Sequence, residues 1–308
     1  MKVVVPLVAT ALFAACLLTL ASCGNTFEAE SAGDSSSGSK AEQRAAKEDA
    51  SSSSSSLRVA VIDVGKGDCI LLQSGNAAAL IDTGYKNTAD DVLERLQAQG
   101  VDRLDAMIIT HYDRDHVDGM RAIGESVDVG TIYLPEYEGT DKNYRSCMSS
   151  VEALDVPTKR VTKELTLSLG SARLTLYPSG VAYEPGEGKV EGNDNDMSLV
   201  ATLTNGNDSY LFAGDLEEDG IDAYLAANHG QFDVVKMPHH GQRSSNTSDF
   251  LDDARPQIAV ITDGKDDPAS KKTLKLLDAA DVETYSTSTD GTVVVESDGS
   301  GTYSVTTL

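Results

Sequence analysis

Thr110-His111-Tyr112-Asp113-Arg114-Asp115-His116 follows the apolar run Ala106-Met107-Ile108-Ile109. A short buried strand ending at Thr110 opens directly onto two imidazoles and two carboxylates within six residues. Asp113 and Asp115 repel each other in a confined loop, so one tends to protonate unless a cation is present. A divalent ion removes that penalty and takes all four groups as ligands. Two other segments have the same build. Leu211-Phe212-Ala213-Gly214-Asp215 is a strand ending in an acid, and Val234-Val235-Lys236-Met237-Pro238-His239-His240-Gly241 is a strand ending in two histidines. Four of the five His in the chain fall in the first and third of these segments. Each segment offers nitrogen or oxygen ligands where an apolar strand stops, which is where an α/β sheet presents its site.

Outward from these junctions, strands are expected at 57–64, 69–73, 78–81, 106–110 and 132–134, with helices at 88–99 and 143–154. The second half reads as strands near 164–168, 171–177, 198–204, 208–213, 232–236 and 257–261, with helices at 217–228 and 270–280. Short strands near 283–286, 291–296 and 302–306 end the chain. Antiparallel hairpins open each half and strands then alternate with helices. This pattern predicts an α/β domain built of two similar layers.

The chain has 308 residues, with 25 Lys+Arg against 49 Asp+Glu, and a formal net charge of −24. An apolar fraction of 40 % supports a sizeable core. Four Cys are too few for a disulfide scaffold or a cysteine-built zinc module. Met1-Lys2, an apolar run from Val3 to Leu20 and the ending Leu20-Ala21-Ser22-Cys23 have the three parts of a secretory signal. Residues 1–22 resemble a bacterial lipoprotein signal, with Cys23 as the lipidated mature N-terminus; an uncleaved membrane anchor is the alternative. Residues 23–56 read as a Ser-rich disordered linker, with eleven Ser between 24 and 56. The signal carries +1 and the linker −3, which leaves −22 on the domain at 57–308. Such a surface is a poor general footprint for nucleic acid. Cys69 and Cys147 remain after processing; export permits a disulfide, and two buried thiols are the other reading.

Thr-His-x-Asp-x-Asp-His-x-x-Gly at 110–119 resembles the signature of the metallo-β-lactamase superfamily, with Asp113 where many members have a second His. Asp63-Val64-Gly65-Lys66-Gly67-Asp68 resembles the DVGQGD opening of the hydrolase domain of ComEC-type competence proteins. Ile81-Asp82-Thr83-Gly84, Asn195-Asp196-Met197-Ser198-Leu199-Val200, Ala213-Gly214-Asp215 and Pro238-His239-His240-Gly241 complete the series in family order. Two substitutions stand out: Gln242 replaces a Ser common after His-His-Gly, and Asp267-Pro268 stands where the family often has His-Pro.

The resemblance implies an αββα sandwich with a dinuclear site at one edge, holding two divalent ions, Zn or Mn. His111 and Asp113 would hold the first metal, Asp115 and His116 the second, and Asp215 would bridge them. His240 is the expected remaining ligand, with Asp115 and His239 as the catalytic pair and His239 beside the substrate. Asp82 would support the ligands, Ser244 or Ser245 would meet a substrate oxygen, and Asn195 or Asp196 would sit near the first metal. His229 reads as a surface or helix-end residue. A water bridged by two cations supplies hydroxide near neutral pH, which suits attack on a phosphodiester. The implied protein is an exported hydrolase on the outer face of the membrane, held there by its lipid. A phosphodiester, DNA among the candidates, is its substrate, and no protein partner is expected. A carbonyl hydrolase and a metal-stabilised binding domain are the competing readings.

Overall fold

The structure, a computed structural model, describes residues 56–183, 194–227 and 230–308. The expected signal, Cys23, the linker up to residue 55 and His229 lie outside the described residues.

Two sheets form the centre. The first has eight strands in the order Tyr303–Thr307, Val293–Ser297, Leu57–Val61, Ile70–Ser74, Ala77–Ile81, Ala106–Ile108, Ile132–Pro135 and Thr158–Val161. The second has seven, in the order Glu283–Ser286, Ile258–Ile261, Val234–Lys236, Asp208–Phe212, Val200–Asn205, Ala172–Tyr177 and Leu165–Leu169. Successive side chains of a strand point to opposite faces, so an apolar run can serve two cores at once. Val59, Val61, Leu72, Ile81 and Ile108 of the first sheet meet Leu174, Leu203, Phe212, Val234 and Val260 of the second. Their chain neighbours Ala60, Leu71, Leu80 and Met107 face Val92, Leu96, Ile123 and Cys147. Those four come from the helices Ala89–Ala98, Met120–Ser126 and Lys142–Leu154. On the far side, Leu211, Val235, Ala259 and Ile261 pack against Ile221, Tyr224, Phe250 and Leu277. These belong to the helices Glu218–Ala227, Thr247–Ala254 and Lys271–Ala279. The result is the expected αββα sandwich.

Several features differ from the sequence reading, the unexpected helix Met120–Ser126 among them. The last two strands return to the first sheet, where Val295 stands opposite Val59 in an antiparallel pair. The edge strand Thr158–Val161 and the helix Thr247–Ala254 were not expected. Thr158 and Lys159 are exposed, so the edge strand has no apolar run to announce it. Cys69 and Cys147 are buried free thiols, and burial pushes the Cys147 thiol up to about 12.

The site is positioned by parallel strands. Ala77–Ile81 and Ala106–Ile108 run parallel in the first sheet, as do Asp208–Phe212, Val234–Lys236 and Ile258–Ile261 in the second. Their C-terminal loops are stitched together across the sheets. Leu199 N donates to Thr110 O at 2.9 Å, Gly67 N to Thr262 O at 3.2 Å and Asp68 N to Asp115 O at 3.1 Å. Gly67 has to be glycine, because a Cβ there would lie 2.7 Å from Asp115 O.

Candidate metal centre

Each of three imidazoles in these loops is completely buried and carries one satisfied and one orphaned ring nitrogen. His116 Nδ1 lies 2.8 Å from Asp82 Oδ2. His111 Nδ1 lies 3.1 Å from Thr110 Oγ1, whose hydroxyl donates to Asp82 Oδ2 at 2.7 Å. His240 Nδ1 lies 3.0 Å from Thr262 Oγ1, whose hydroxyl donates to Asp68 Oδ1 at 2.7 Å. Each chain of bonds ends on a carboxylate, which can only accept. The threonine hydroxyls therefore donate outward and accept from the rings, which assigns a proton to all three Nδ1 atoms. That tautomer leaves a lone pair on each Nε2. Among the described residues, none of the three Nε2 atoms has a hydrogen-bond partner. An imidazole held at Nδ1 with Nε2 bare is the form that ligates a metal.

Carboxylates surround these bare nitrogens. Asp215 Oδ2 is 2.9 Å from His240 Nε2 and 3.4 Å from His116 Nε2. Asp115 Oδ2 is 3.3 Å from His240 Nε2 and 4.0 Å from His116 Nε2. Two ligand groupings result: His111, His116 and Asp215, and Asp115, His116 and His240. Burial opposes protonation of His116, yet Asp215 and Asp82 hold its pKa well above the usual imidazole value. The same balance, with Asp215 and Asp115 as the acids, raises His240. Burial likewise opposes ionisation of Asp215, but His240, His116 and Lys236 keep it well below the carboxylate range. A proton and a cation thus compete for the same nitrogens, and a dication satisfies the acids with less repulsion. The donor set, three imidazoles and two or more carboxylates, fits a divalent metal.

A third grouping, Asp68, Asp82 and His116, already has its cation. Lys236 Nζ, 1 % exposed, lies 2.5 Å from Asp68 Oδ2 and 3.4 Å from Asp215 Oδ1, and donates to Gly214 O at 3.0 Å. Sequence reading gave no role to Asp68 or Lys236. A lysine ending a strand looks like surface until the fold closes around it.

The loop backbones are strained where they aim these side chains. Asp82 has φ 57°, His239 φ 45° and His240 φ 51°. Left-handed geometry in non-glycine residues concentrates at functional sites. Here it turns two adjacent histidines to different tasks. His240 enters the cluster, while His239 remains 24 % exposed with Nδ1 3.1 Å from Glu217 Oε1. His239 N also donates to Gly214 O at 3.1 Å, which ties this turn to the Asp215 loop. Burial lowers the His239 pKa.

The other expected residues are dispersed. Asp113 lies outside both ligand groupings, 42 % exposed, with Oδ2 4.0 Å from His111 Nε2. Burial raises its pKa, and Asp194 and Asp115 add to the rise against His111. Asp194 was not singled out from sequence; it is buried and accepts a hydrogen bond from Tyr137 Oη. Asp196 does not point at the cluster. Its Oδ1 accepts from Glu217 N at 2.7 Å and Gly220 N at 2.9 Å, at the start of the helix Glu218–Ala227. Asn195 Nδ2 donates to Glu217 Oε1 at 2.8 Å, so this pair orders the residue that holds His239. Ser244 and Ser245 sit in the turn before Thr247–Ala254, where both carbonyls accept from Arg243, and Ser245 is exposed.

Residues 62–262 match the family described as the metallo-beta-lactamase superfamily. This chain belongs to that superfamily. As a metallo-beta-lactamase superfamily member it is a metallo-hydrolase, and its His/Asp cluster is suited to divalent metal. Among curated proteins it is similar to ComE operon protein 3 of Bacillus subtilis, at 25 % identity over 257 residues, covering 76 % of this chain and 32 % of that protein. It is also similar to Competence protein ComA of Neisseria gonorrhoeae, at 30 % identity over 215 residues, covering 67 % of this chain and 27 % of that protein. The superfamily member therefore spans a third or less of these relatives. Among solved structures, the metallo-beta-lactamase fold protein YhfI of Bacillus subtilis has a TM-score of 0.50 at 12 % identity, covering 78 % of this chain and 100 % of that one. That likeness supports the fold. Among the described residues, no helix is long and apolar enough to cross a membrane.

Proposed function

We propose that the chain is an exported, lipid-anchored phosphodiesterase that works with two divalent ions, Zn or Mn. The observation that carries the reading is the convergence of three buried Nε2 atoms on Asp215, with Asp115 also facing those of His116 and His240. His111, His116, His240, Asp115 and Asp215 would hold the metal, with Asp113 beside His111. Divalent ions bound there supply Lewis acidity, which polarises a phosphoryl group and activates water. The chain's own residues prepare the site. Asp82 and Asp68, the second through Thr262, fix the Nδ1 protons. Lys236 holds the second oxygen of Asp215. His239, ordered by Glu217, stands partly exposed beside the cluster to meet the substrate. The carboxylates favour hard ions, and hard ions bound there would in turn favour an oxyanion substrate. Similarity to proteins named for competence makes a nucleic-acid phosphodiester one candidate substrate. Residues 1–23 carry the lipid-anchor part of the reading, which places the enzyme on the outer face of the membrane.

The test is hydrolysis of bis-(p-nitrophenyl) phosphate by the full chain with Mn²⁺ or Zn²⁺. Turnover is expected, and His116→Ala should lower it by on the order of a thousandfold or more. Absence of turnover, or turnover that survives His116→Ala, contradicts the reading.

A further inference from the structure

The net charge of −22 on residues 57–308 repels an approaching phosphate at long range. Admission of an anion therefore depends on cations at the mouth of the site. Lys66 is placed there. It lies in Gly65-Lys66-Gly67, two residues before Asp68, on a loop bound to both neighbouring loops of the metal centre. Gly67 N and Asp68 N donate to Thr262 O and Asp115 O. The Lys66 backbone also abuts Gly264, where an added Cβ would come within 3.1 Å of Lys66 N. The Lys66 side chain is 27 % exposed, and its ammonium lies 2.8 Å from Asp267 Oδ2. It is close enough to interact electrostatically with Asp115, Asp215 and His239. Arg114, between Asp113 and Asp115, is engaged elsewhere: it pairs with Asp118 at 3.0 Å and lies over the Tyr85 ring.

Both members of the Lys66–Asp267 pair depart from the motifs the chain otherwise follows. Lys66 stands where DVGQGD has Gln, and Asp267 stands before Pro268 where His is common. The two departures, 201 positions apart, meet in one ion pair. Asp267 is 58 % exposed at its side chain, so the pair sits in a high dielectric and is easily exchanged.

We propose that Lys66 contacts the anionic group of the substrate at the mouth of the metal centre, and that Asp267 holds its ammonium as a displaceable counter-ion. The assignment rests on the phosphodiesterase reading. An incoming phosphate oxygen replaces the Asp267 carboxylate on Lys66 Nζ, which brings the anion beside Asp115 and Asp215. Asp267 thereby sets a threshold: only a group that binds Lys66 and the metal centre together displaces it.

Titration of the metal-loaded full chain with inorganic phosphate tests this. Lys66→Gln should weaken phosphate binding by about tenfold, the worth of a charge-assisted hydrogen bond. Asp267→Asn should strengthen it by about three- to fivefold, the worth of an exposed ion pair. Metal content should be equal in all three proteins. With bis-(p-nitrophenyl) phosphate the KM values should shift in the same two directions, with kcat changing less than KM. A simple brace between loops would instead make both variants lose affinity together. That outcome, or no change in either variant, overturns the proposal. If phosphate binding shifts with opposite signs while the wild-type chain leaves the diester intact, the phosphodiesterase reading falls and the anion contact of Lys66 stands.

Discussion

Asp215→Ala should abolish measurable hydrolysis, by on the order of ten-thousandfold, and should strip metal from the protein. Asp215 is the carboxylate that both His116 Nε2 and His240 Nε2 face, at 3.4 and 2.9 Å, and it belongs to a grouping with His111. Among the described residues, no other carboxylate makes both contacts. Asp115 reaches His240 at 3.3 Å but is 4.0 Å from His116. Folding should survive, because Lys236 keeps Asp68 as its partner at 2.5 Å. The measurement is turnover and elemental analysis side by side on the variant. Retention of both full metal content and more than a tenth of the activity would remove Asp215 from the centre.

Lys236→Met should have the largest effect on stability, a loss of about 3–5 kcal/mol. Methionine fills similar volume but leaves Asp68, 1 % exposed, without its cation and removes a donor from Gly214 O. An uncompensated buried carboxylate is a larger penalty than an ion pair is a gain, so breaking one side of the pair is the severe change. For a domain of this size the melting temperature should fall by roughly 6–20 °C. Thermal unfolding at matched metal content checks this, and a shift of only a degree or two would contradict it. Asp68 also accepts from Thr262, which positions His240. The variant should therefore bind metal more weakly as well as unfold earlier.

The two-layered α/β domain was legible in the sequence because strands buried on both faces are nearly continuous apolar runs, as at Val59-Ala60-Val61 and Leu211-Phe212, and the αββα order of its layers followed from the family resemblance. Elements without such a run were not. Thr158–Val161 is an edge strand with exposed residues, and Thr247–Ala254 is a short helix with three Asp among its eight residues. The return of Val293–Ser297 to the first sheet was hidden for a different reason. Pairing partners are a long-range property, and its Val-rich pattern fits either sheet. The histidines were readable from their rarity and their position at strand ends. Asp68, Lys236 and Asp194 were not, since each acquires its role only through residues distant in the chain. Asn195 and Asp196 were placed beside a metal by their motif, whereas their bonds run to Glu217 and Gly220. Their effect on the site passes through Glu217 to His239.

His111, His116, His240, Asp115 and Asp215 are together proposed as a centre for divalent metal. Elemental analysis of the purified full chain, after exposure to Zn²⁺ or Mn²⁺ and removal of the free ion, tests it most directly. Two equivalents of metal per chain are expected, lost in His116→Ala. A folded wild-type chain that retains no metal would contradict it.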